Sequence, residues 1–313
     1  MSLTDLCDLA CVYCRPHKRD GYAERRLGPA AWRSMLRGLF EAGVRRVRVT
    51  GGEPLLHPEV VAFVRALRET PFEDVALTTN ATRLEALAAP LREAGLMRLN
   101  VSLDTLDPAR FFRMTRGGRL ATVLRGIEAA SRAGFDELKV NVVVVGGENE
   151  DELQDLVRFA WDRGMVPRFI EVMPIGEGQK LRDRFVPYPE IRARLAHLLE
   201  EAPPVKEPDR GPAKYTAARA DGPDAGKRIG FITGTSDTFC GGCDRLRVAS
   251  DGHLRPCLAT NHGVSAASEA EHEDAAAVAA RVRQAWRQKP DGDTWKGCTE
   301  PSAREVSIRK IGG

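Results

Sequence analysis

Val44-Arg45-Arg46-Val47-Arg48-Val49-Thr50-Gly51-Gly52-Glu53-Pro54 reads as a β-strand running into a glycine-rich turn. Valines alternate with arginines at the two-residue period of a strand. Just upstream, Pro29 opens and Gly43 follows a helical pattern over residues 29–42, the usual asymmetry of helix ends. The same alternation continues along the chain. Strands are expected over residues 74–78, 98–103, 138–145 and 166–172, with a truncated first strand over 1–4. Helices are expected over 58–69, 84–94, 120–133, 150–163 and 188–200. Gly95, Gly134 and Gly164 follow helix ends, and Pro90 is expected to kink or break its helix. Strand–helix alternation implies an α/β fold with a parallel sheet and right-handed crossovers. About six such units make an incomplete (β/α)6 TIM-like barrel; a doubly wound sheet is the alternative that periodicity does not separate.

Beyond the barrel, the proline-rich residues 202–226 read as a linker or extended crossover. Strands are expected over 228–233 and 245–250, and a surface loop and helix over 263–280. The chain thus divides into residues 1–215, the barrel, and 216–313, a C-terminal region. At 313 residues there is ample length for a large core. The charge is +3, from 47 basic and 44 acidic residues, too balanced to argue for nucleic acid. No apolar run approaches the roughly 20 residues of a membrane span, and no signal-peptide layout opens the chain. A soluble, cytoplasmic protein is expected.

The seven cysteines fall into two sets of three, with Cys298 left over. A disulfide framework predicts neither that grouping nor so large a core. The first set is Cys7, Cys11 and Cys14, three thiols within eight residues. Zinc sites more often use two separated pairs. Three thiolates can hold a 4Fe–4S cluster and leave one iron open for a small molecule. The second set, Cys240, Cys243 and Cys257, is again three; a zinc site completed by His253 or His262 is its ordinary alternative. Arg245 and Arg247 lie between them, two apart and so facing one way on a strand.

Polar residues fall at the ends of the expected strands, where parallel α/β folds place ligands. These ends are Thr50 to Pro54, Thr78-Thr79-Asn80, Ser102-Leu103-Asp104 and Glu171-Val172-Met173. Paired glycines allow close backbone approach, although glycine and proline also make ordinary turns. Arg46, Arg48, Lys139, Asn141 and Arg168 sit within strands that a parallel sheet usually buries on both faces. Each alone reads as a strand end reaching solvent. Together they make a basic chamber suited to phosphates.

The first cysteine set and Gly51-Gly52-Glu53-Pro54 resemble the radical S-adenosylmethionine superfamily. Further marks narrow the resemblance: Thr4-Asp5-Leu6-Cys7, Arg168-Phe169-Ile170-Glu171, Phe239 through Arg247, and the terminal Gly312-Gly313. With these, nearly the whole chain resembles the GTP 3′,8-cyclase family of molybdenum-cofactor biosynthesis. The resemblance implies two 4Fe–4S clusters, on Cys7, Cys11, Cys14 and on Cys240, Cys243, Cys257. It implies that Tyr13, Gly52, Glu53, Thr79, Ser102 and Met173 contact S-adenosylmethionine. Arg46, Arg48, Lys139 and Arg168 are implied to hold the triphosphate of GTP, Arg245 and Arg247 to place it, and Gly312 and Gly313 to act in catalysis. A 5′-deoxyadenosyl radical takes hydrogen from the ribose 3′ carbon, which then attacks guanine carbon 8. An electron donor of flavodoxin or ferredoxin type, cyclic pyranopterin monophosphate synthase downstream, and a homodimer are the implied partners. The family usually begins further upstream, with an arginine before the first strand, and carries Asn where Asp8 stands. The rivals are a peptide-modifying radical enzyme with an auxiliary cluster, which usually has more C-terminal cysteines, and a zinc-stabilised binding protein.

Overall fold

Alternation along the strands organises the molecule. The computed structural model describes residues 1–14, 22–207 and 211–290. Its first half runs α1 (Pro29–Glu41), β1 (Arg46–Val49), α2 (Val60–Glu69), β2 (Asp74–Thr79), α3 (Leu84–Glu93), β3 (Arg98–Ser102), α4 (Pro108–Thr115), α5 (Leu120–Ala133), β4 (Glu137–Val144), α6 (Leu153–Trp161) and β5 (Val166–Glu171). Then come α7 (Tyr188–Arg194), β6 (Val205–Lys206), β7 (Lys214–Ala217), β8 (Arg228–Ile232), β9 (Arg247–Val248), β10 (His253–Arg255), β11 (Val264–Ser265), α8 (Ala267–Glu271) and α9 (Ala275–Arg287).

Strands β1 to β5 pair in parallel in sequence order, and β8 adds in parallel beyond β5. The helices supply the crossovers, so the curled, partial parallel barrel is the fold. The truncated first strand is reduced to one parallel bridge, Ser2 to Thr50, with Leu3 N donating to Thr50 O at 2.9 Å. Among the described helices none is long and apolar enough to cross a membrane.

One strand face carries Val47, Val49, Val75, Leu77, Leu99, Val101, Val140, Val142, Phe169, Ile229 and Phe231, all buried in one core. The other face is polar. Cross-strand partners there are Arg48–Ala76, Asn100–Lys139, Asn141–Arg168 and Arg168–Gly230. Parallel strands are usually apolar on both faces; here the concave face holds charge instead. Arg168 and Lys139 are each 1% exposed, so they do not reach solvent as strand-end side chains would.

Several sequence expectations give way. Helix α3 runs through Pro90 unbroken. The stretch expected as linker holds β6 and β7, an antiparallel pair that extends the sheet from β8. Its prolines flank Lys214–Ala217 without entering it, which leaves the strand's backbone donors intact. The strand expected over 245–250 shortens to β9. The helix expected at the surface near residue 280 is α9, whose Val278 packs against α1 so closely that a Cβ on Gly38 would lie 2.5 Å from it. Helix α4 was not foreseen, although Asp107 caps it, accepting from Arg110 N at 2.7 Å, and Pro108 opens it.

The C-terminal segment spans two sides of the barrel. Ser2 N donates to Val248 O at 2.7 Å beside β1. Ala259, Leu258 and Cys257 pack with Ile175 and Met173 beyond the end of β5.

Candidate active site

The Cys7, Cys11 and Cys14 loop is built against the turn after β1. Gly52 N donates to Thr4 O and Glu53 N to Leu6 O, each at 2.7 Å. A Cβ on Gly51 would lie 2.4 Å from Thr4 O, and one on Gly52 2.3 Å from Leu6 O. The glycine pair is therefore demanded by the crossing of two backbone segments, and the crossing sets where Cys7 stands. The three thiols are half-buried, and none is in a disulfide. Burial pushes the Cys7 thiol up to about 12, and Glu53, Asp8 and Cys14 reinforce it. Cys11 is raised by burial, by Asp104, and by the other two thiols.

Glu53 is buried and fully engaged. Its Oε1 accepts from Leu55 N at 3.0 Å and Thr79 Oγ1 at 2.7 Å, and its Oε2 from Asn80 N at 2.6 Å. Burial nonetheless lifts its carboxyl to about 7. Asp8, where the family usually has Asn, accepts from Asn80 Nδ2 at 2.9 Å and Thr82 Oγ1 at 2.7 Å. Tyr13 donates its hydroxyl to Asp104 Oδ2 at 2.7 Å, and Val143 N donates to Oδ1 at 2.8 Å. Ser102 lies at the end of β3, opposite Asn141. Met173 packs with Cys257, Leu258 and Ala259 of the second cysteine segment.

The concave face divides into a neutralised base and a cationic middle. Glu137 accepts from Arg98 Nε at 2.7 Å and lies 3.0 Å from Lys139 Nζ and 3.2 Å from Arg228. Burial works to raise this carboxyl, but Lys139 and Arg98 hold it below the usual carboxylate range. Lys139 Nζ also meets the Tyr215 hydroxyl at 3.1 Å. Above them Arg168 donates to two neutral amides, Asn141 Oδ1 at 2.9 Å and Asn100 Oδ1 at 2.8 Å. Gly230 makes room for it: a Cβ there would lie 2.7 Å from Arg168 Cγ and 2.8 Å from Tyr215 Cε1. Arg48 is half-buried, and its enclosed Nε has no hydrogen-bond partner among the described residues. Burial, then Arg168 and Arg98, lower Arg48 to about 10. Asp74 acts on Arg48 and Glu137 on Arg168 in the opposite sense, but cations packed this closely still suit a bound anion. Arg46, at the rim, meets Asp244 at 3.2 Å.

The second cysteine set is drawn together on the other side. Cys243 and Cys257 lie near enough to Cys240 to reinforce the rise that burial imposes on its thiol. For Cys243 burial acts upward too, but Arg245 holds the thiol below its ordinary value. Arg245 Nε donates to Cys243 Sγ at 3.4 Å and stacks 4.5 Å from the Phe239 ring centroid. Arg247 is half-buried, and burial and then Arg245 lower it to about 10. Lys289 ties the segment together, donating to Arg245 O at 2.8 Å and Pro256 O at 3.0 Å.

Among the described residues no group of three or more His, Cys, Asp and Glu side chains gathers as a site for a single metal ion. Cluster ligands stand further apart, and the donors suit them. Asn80 Nδ2 points at Cys7 Sγ (3.9 Å), Arg245 Nε at Cys243 Sγ and Ala259 N at Cys257 Sγ (3.4 Å). N–H groups aimed at sulfur are a feature of ligated thiolates in iron–sulfur sites. Tyr215, Gly230 and Lys289 went unmarked in the sequence, and Asn100 carried no assigned role. Tyr215 was hidden in the supposed linker; the alternating Lys214-Tyr215-Thr216-Ala217 was its one signal. Gly312, Gly313 and Cys298 lie outside the described residues.

Residues 1–160 match the Radical SAM superfamily and residues 165–295 match Molybdenum Cofactor Synthesis C. A partial barrel with a Cys7, Cys11, Cys14 loop at the mouth is the architecture of a radical S-adenosylmethionine enzyme, here with a molybdenum-cofactor-synthesis C-terminal region. The chain is 38% identical over 320 residues to a GTP 3′,8-cyclase of Alkaliphilus metalliredigens, covering 100% of this chain and 96% of that protein. It is 43% identical over 266 residues to the GTP 3′,8-cyclase of Heliobacterium modesticaldum, covering 82% and 79%. The chain belongs to the GTP 3′,8-cyclase family. Streptococcus suis SuiB bound to S-adenosylmethionine shares the fold, with a TM-score of 0.65 at 16% identity over 99% of this chain and 70% of that one.

Proposed function

We propose that this chain converts GTP to 3′,8-cyclo-7,8-dihydro-GTP, the first step of molybdenum cofactor biosynthesis. The observation that carries the reading is the pair Arg48 and Arg168 on the concave face, Arg168 buried against two neutral amides and Arg48 half-buried with its Nε enclosed and lacking a hydrogen-bond partner among the described residues, in a fold with two cysteine triplets. Cys7, Cys11 and Cys14 would hold one 4Fe–4S cluster and Cys240, Cys243 and Cys257 a second. Such clusters, when bound, supply the electron that splits the sulfonium of S-adenosylmethionine and an open iron for the guanine.

The remaining work falls to the chain's own side chains. Glu53 offers its carboxylate to the ammonium group of S-adenosylmethionine, whose charge favours the ionised form over the one burial favours. Gly52, Thr79, Ser102, Met173 and Tyr13 complete that contact set. Arg48 and Arg168 hold the triphosphate by forked hydrogen bonds, helped by Lys139 and by Arg46 at the rim. Arg245 and Arg247 orient the ribose and guanine, and Gly312 and Gly313 act in catalysis. Holding both reactants in one water-poor chamber accounts for the protein's share of the rate. Residues 1–215 form the radical S-adenosylmethionine barrel, which also supplies the triphosphate contacts, and 216–313 the auxiliary-cluster and substrate-binding region. A flavodoxin or ferredoxin type donor, handover to cyclic pyranopterin monophosphate synthase, a homodimer and a cytoplasmic location complete the reading.

The test is anaerobic. The protein is reconstituted with iron and sulfide, given dithionite, S-adenosylmethionine and GTP, and followed by mass spectrometry. 5′-Deoxyadenosine together with a GTP isomer is the expected result. 5′-Deoxyadenosine without the isomer rejects GTP as substrate.

A further inference from the structure

The Cys7, Cys11 and Cys14 loop has a second neighbour, away from Glu53. Ala10 N donates to Thr115 O at 3.1 Å and Val12 N to Met114 O at 2.9 Å, at the end of α4. Just beyond, Gly118 packs so tightly that a Cβ would lie 3.0 Å from Leu9 Cδ2. The surface over this contact is unusual for a chain of nearly balanced charge. Phe112 is 58% exposed. Arg113, Arg116 and Arg119 are all exposed. The carboxylate near Arg113 is Glu148, 3.9 Å away and held more closely by Arg184 at 2.8 Å. Arg116 ends α4 in the left-handed conformation, φ 55° and ψ 52°, where glycine is the usual residue. Backbone strain of this kind, kept at an exposed arginine, points to a use at the surface.

We propose that Phe112, Arg113, Arg116 and Arg119 form the docking face for the electron donor, an acidic flavin-carrying protein of flavodoxin type. The inference rests on the radical reading above. That reading requires one electron from outside for the cysteine loop. The reduced carrier loses one electron and the centre held by the loop gains it; no covalent bond forms or breaks. An exposed aromatic in the same segment as three exposed arginines suits a small, transient redox encounter. The arginines steer an acidic partner to the loop, and such steering weakens with salt.

The test uses the reconstituted holoprotein and a photoreduced flavodoxin. Arg113, Arg116 and Arg119 are all changed to Glu in one variant; Arg65→Glu on α2 is the control. Flavodoxin affinity is measured by surface plasmon resonance across a salt series. 5′-Deoxyadenosine formation is measured with flavodoxin and, separately, with dithionite. The triple variant is expected to bind flavodoxin at least tenfold more weakly at low salt, with a flattened salt dependence. Its flavodoxin-driven rate falls while its dithionite-driven rate and melting temperature hold, and Arg65→Glu changes none of these. A second variant, Phe112→Ser, is expected to weaken binding without altering the salt slope. Unchanged affinity in the triple variant overturns the proposal, and so does an equal loss with both reductants. If the unaltered protein makes no 5′-deoxyadenosine even with dithionite, the radical reading fails, and the binding measurement still decides the docking face.

Discussion

Gly52→Ala tests the claim that the cysteine loop is positioned by a backbone crossing. The added Cβ would stand 2.3 Å from Leu6 O, 2.6 Å from Leu6 C and 2.8 Å from Asp5 O, all backbone atoms. Relief to 3.0 Å, the limit real Cβ contacts respect, needs a shift of about 0.7 Å. The bonds from Gly52 N to Thr4 O and Glu53 N to Leu6 O, now 2.7 Å, would stretch to about 3.4 Å, outside the normal range. Two lost backbone hydrogen bonds cost about 1 kcal/mol each. Overpacking adds about 1–3 kcal/mol, so the total is about 3–5 kcal/mol. The melting temperature should fall by on the order of 10 °C. Because Leu6 precedes Cys7, iron binding at the first cysteine set should fall with it. Differential scanning calorimetry and iron and sulfide analysis read both effects. Gly241→Ala is the matched control: it adjoins Cys240, yet its Cβ would meet nothing within 4 Å. A Gly52→Ala protein that melts within about 1 °C of the parent, with undiminished iron, refutes the crossing as the positioning device.

Other expectations follow from the same site. Burial raises the Asp104 carboxyl from 3.8 to about 6, so its contribution to stability is full below about pH 4 and is lost as pH rises through 6. Asp104→Asn should remove that slope, gaining about 3 kcal/mol on the parent between pH 4 and pH 7, read as the difference in melting temperature across the series. Arg168→Lys cannot span both Asn100 and Asn141; losing one charged hydrogen bond, about 1.5–3 kcal/mol, should raise KM for GTP by about 10- to 100-fold with a smaller change in kcat. Cys240→Ser should lower iron content by about half while 5′-deoxyadenosine still forms and the GTP isomer does not.

The parallel barrel was legible because glycines and prolines punctuate it cleanly, from Pro29 and Gly43 through Gly134 after α5. The polar concave face was only half legible. Arg46 and Arg48, Lys139 and Asn141, and Arg168 showed as isolated oddities, since their common face depends on a register between strands that no single segment encodes. Gly230 illustrates the limit: its missing side chain matters only because Arg168 and Tyr215 arrive from two other strands. Pro90 misled in the opposite direction, since tertiary packing of Leu84, Ala88 and Leu91 outweighs the one backbone bond it forfeits. Tyr215 was lost to the prolines on either side of its strand. The clustering of Met173 with Cys257 is likewise a product of the returning C-terminal segment, invisible from either stretch alone.

The bond from Ser2 to Val248 sets a timetable for the molecule. The cysteine loop is made well before residue 248, but the strand that leads into it is clasped by Thr50 on one side and Val248 on the other. Contacts this distant in sequence form late. Until Val248 has been made, the segment bearing Cys7 has one of its two supports missing. Thiols displayed on an unfinished barrel would meet iron and oxygen with no Arg245–Cys243 segment yet in place. Iron delivery is therefore a task for the completed chain, and a polypeptide halted before residue 248 should be a poor recipient of iron at either end.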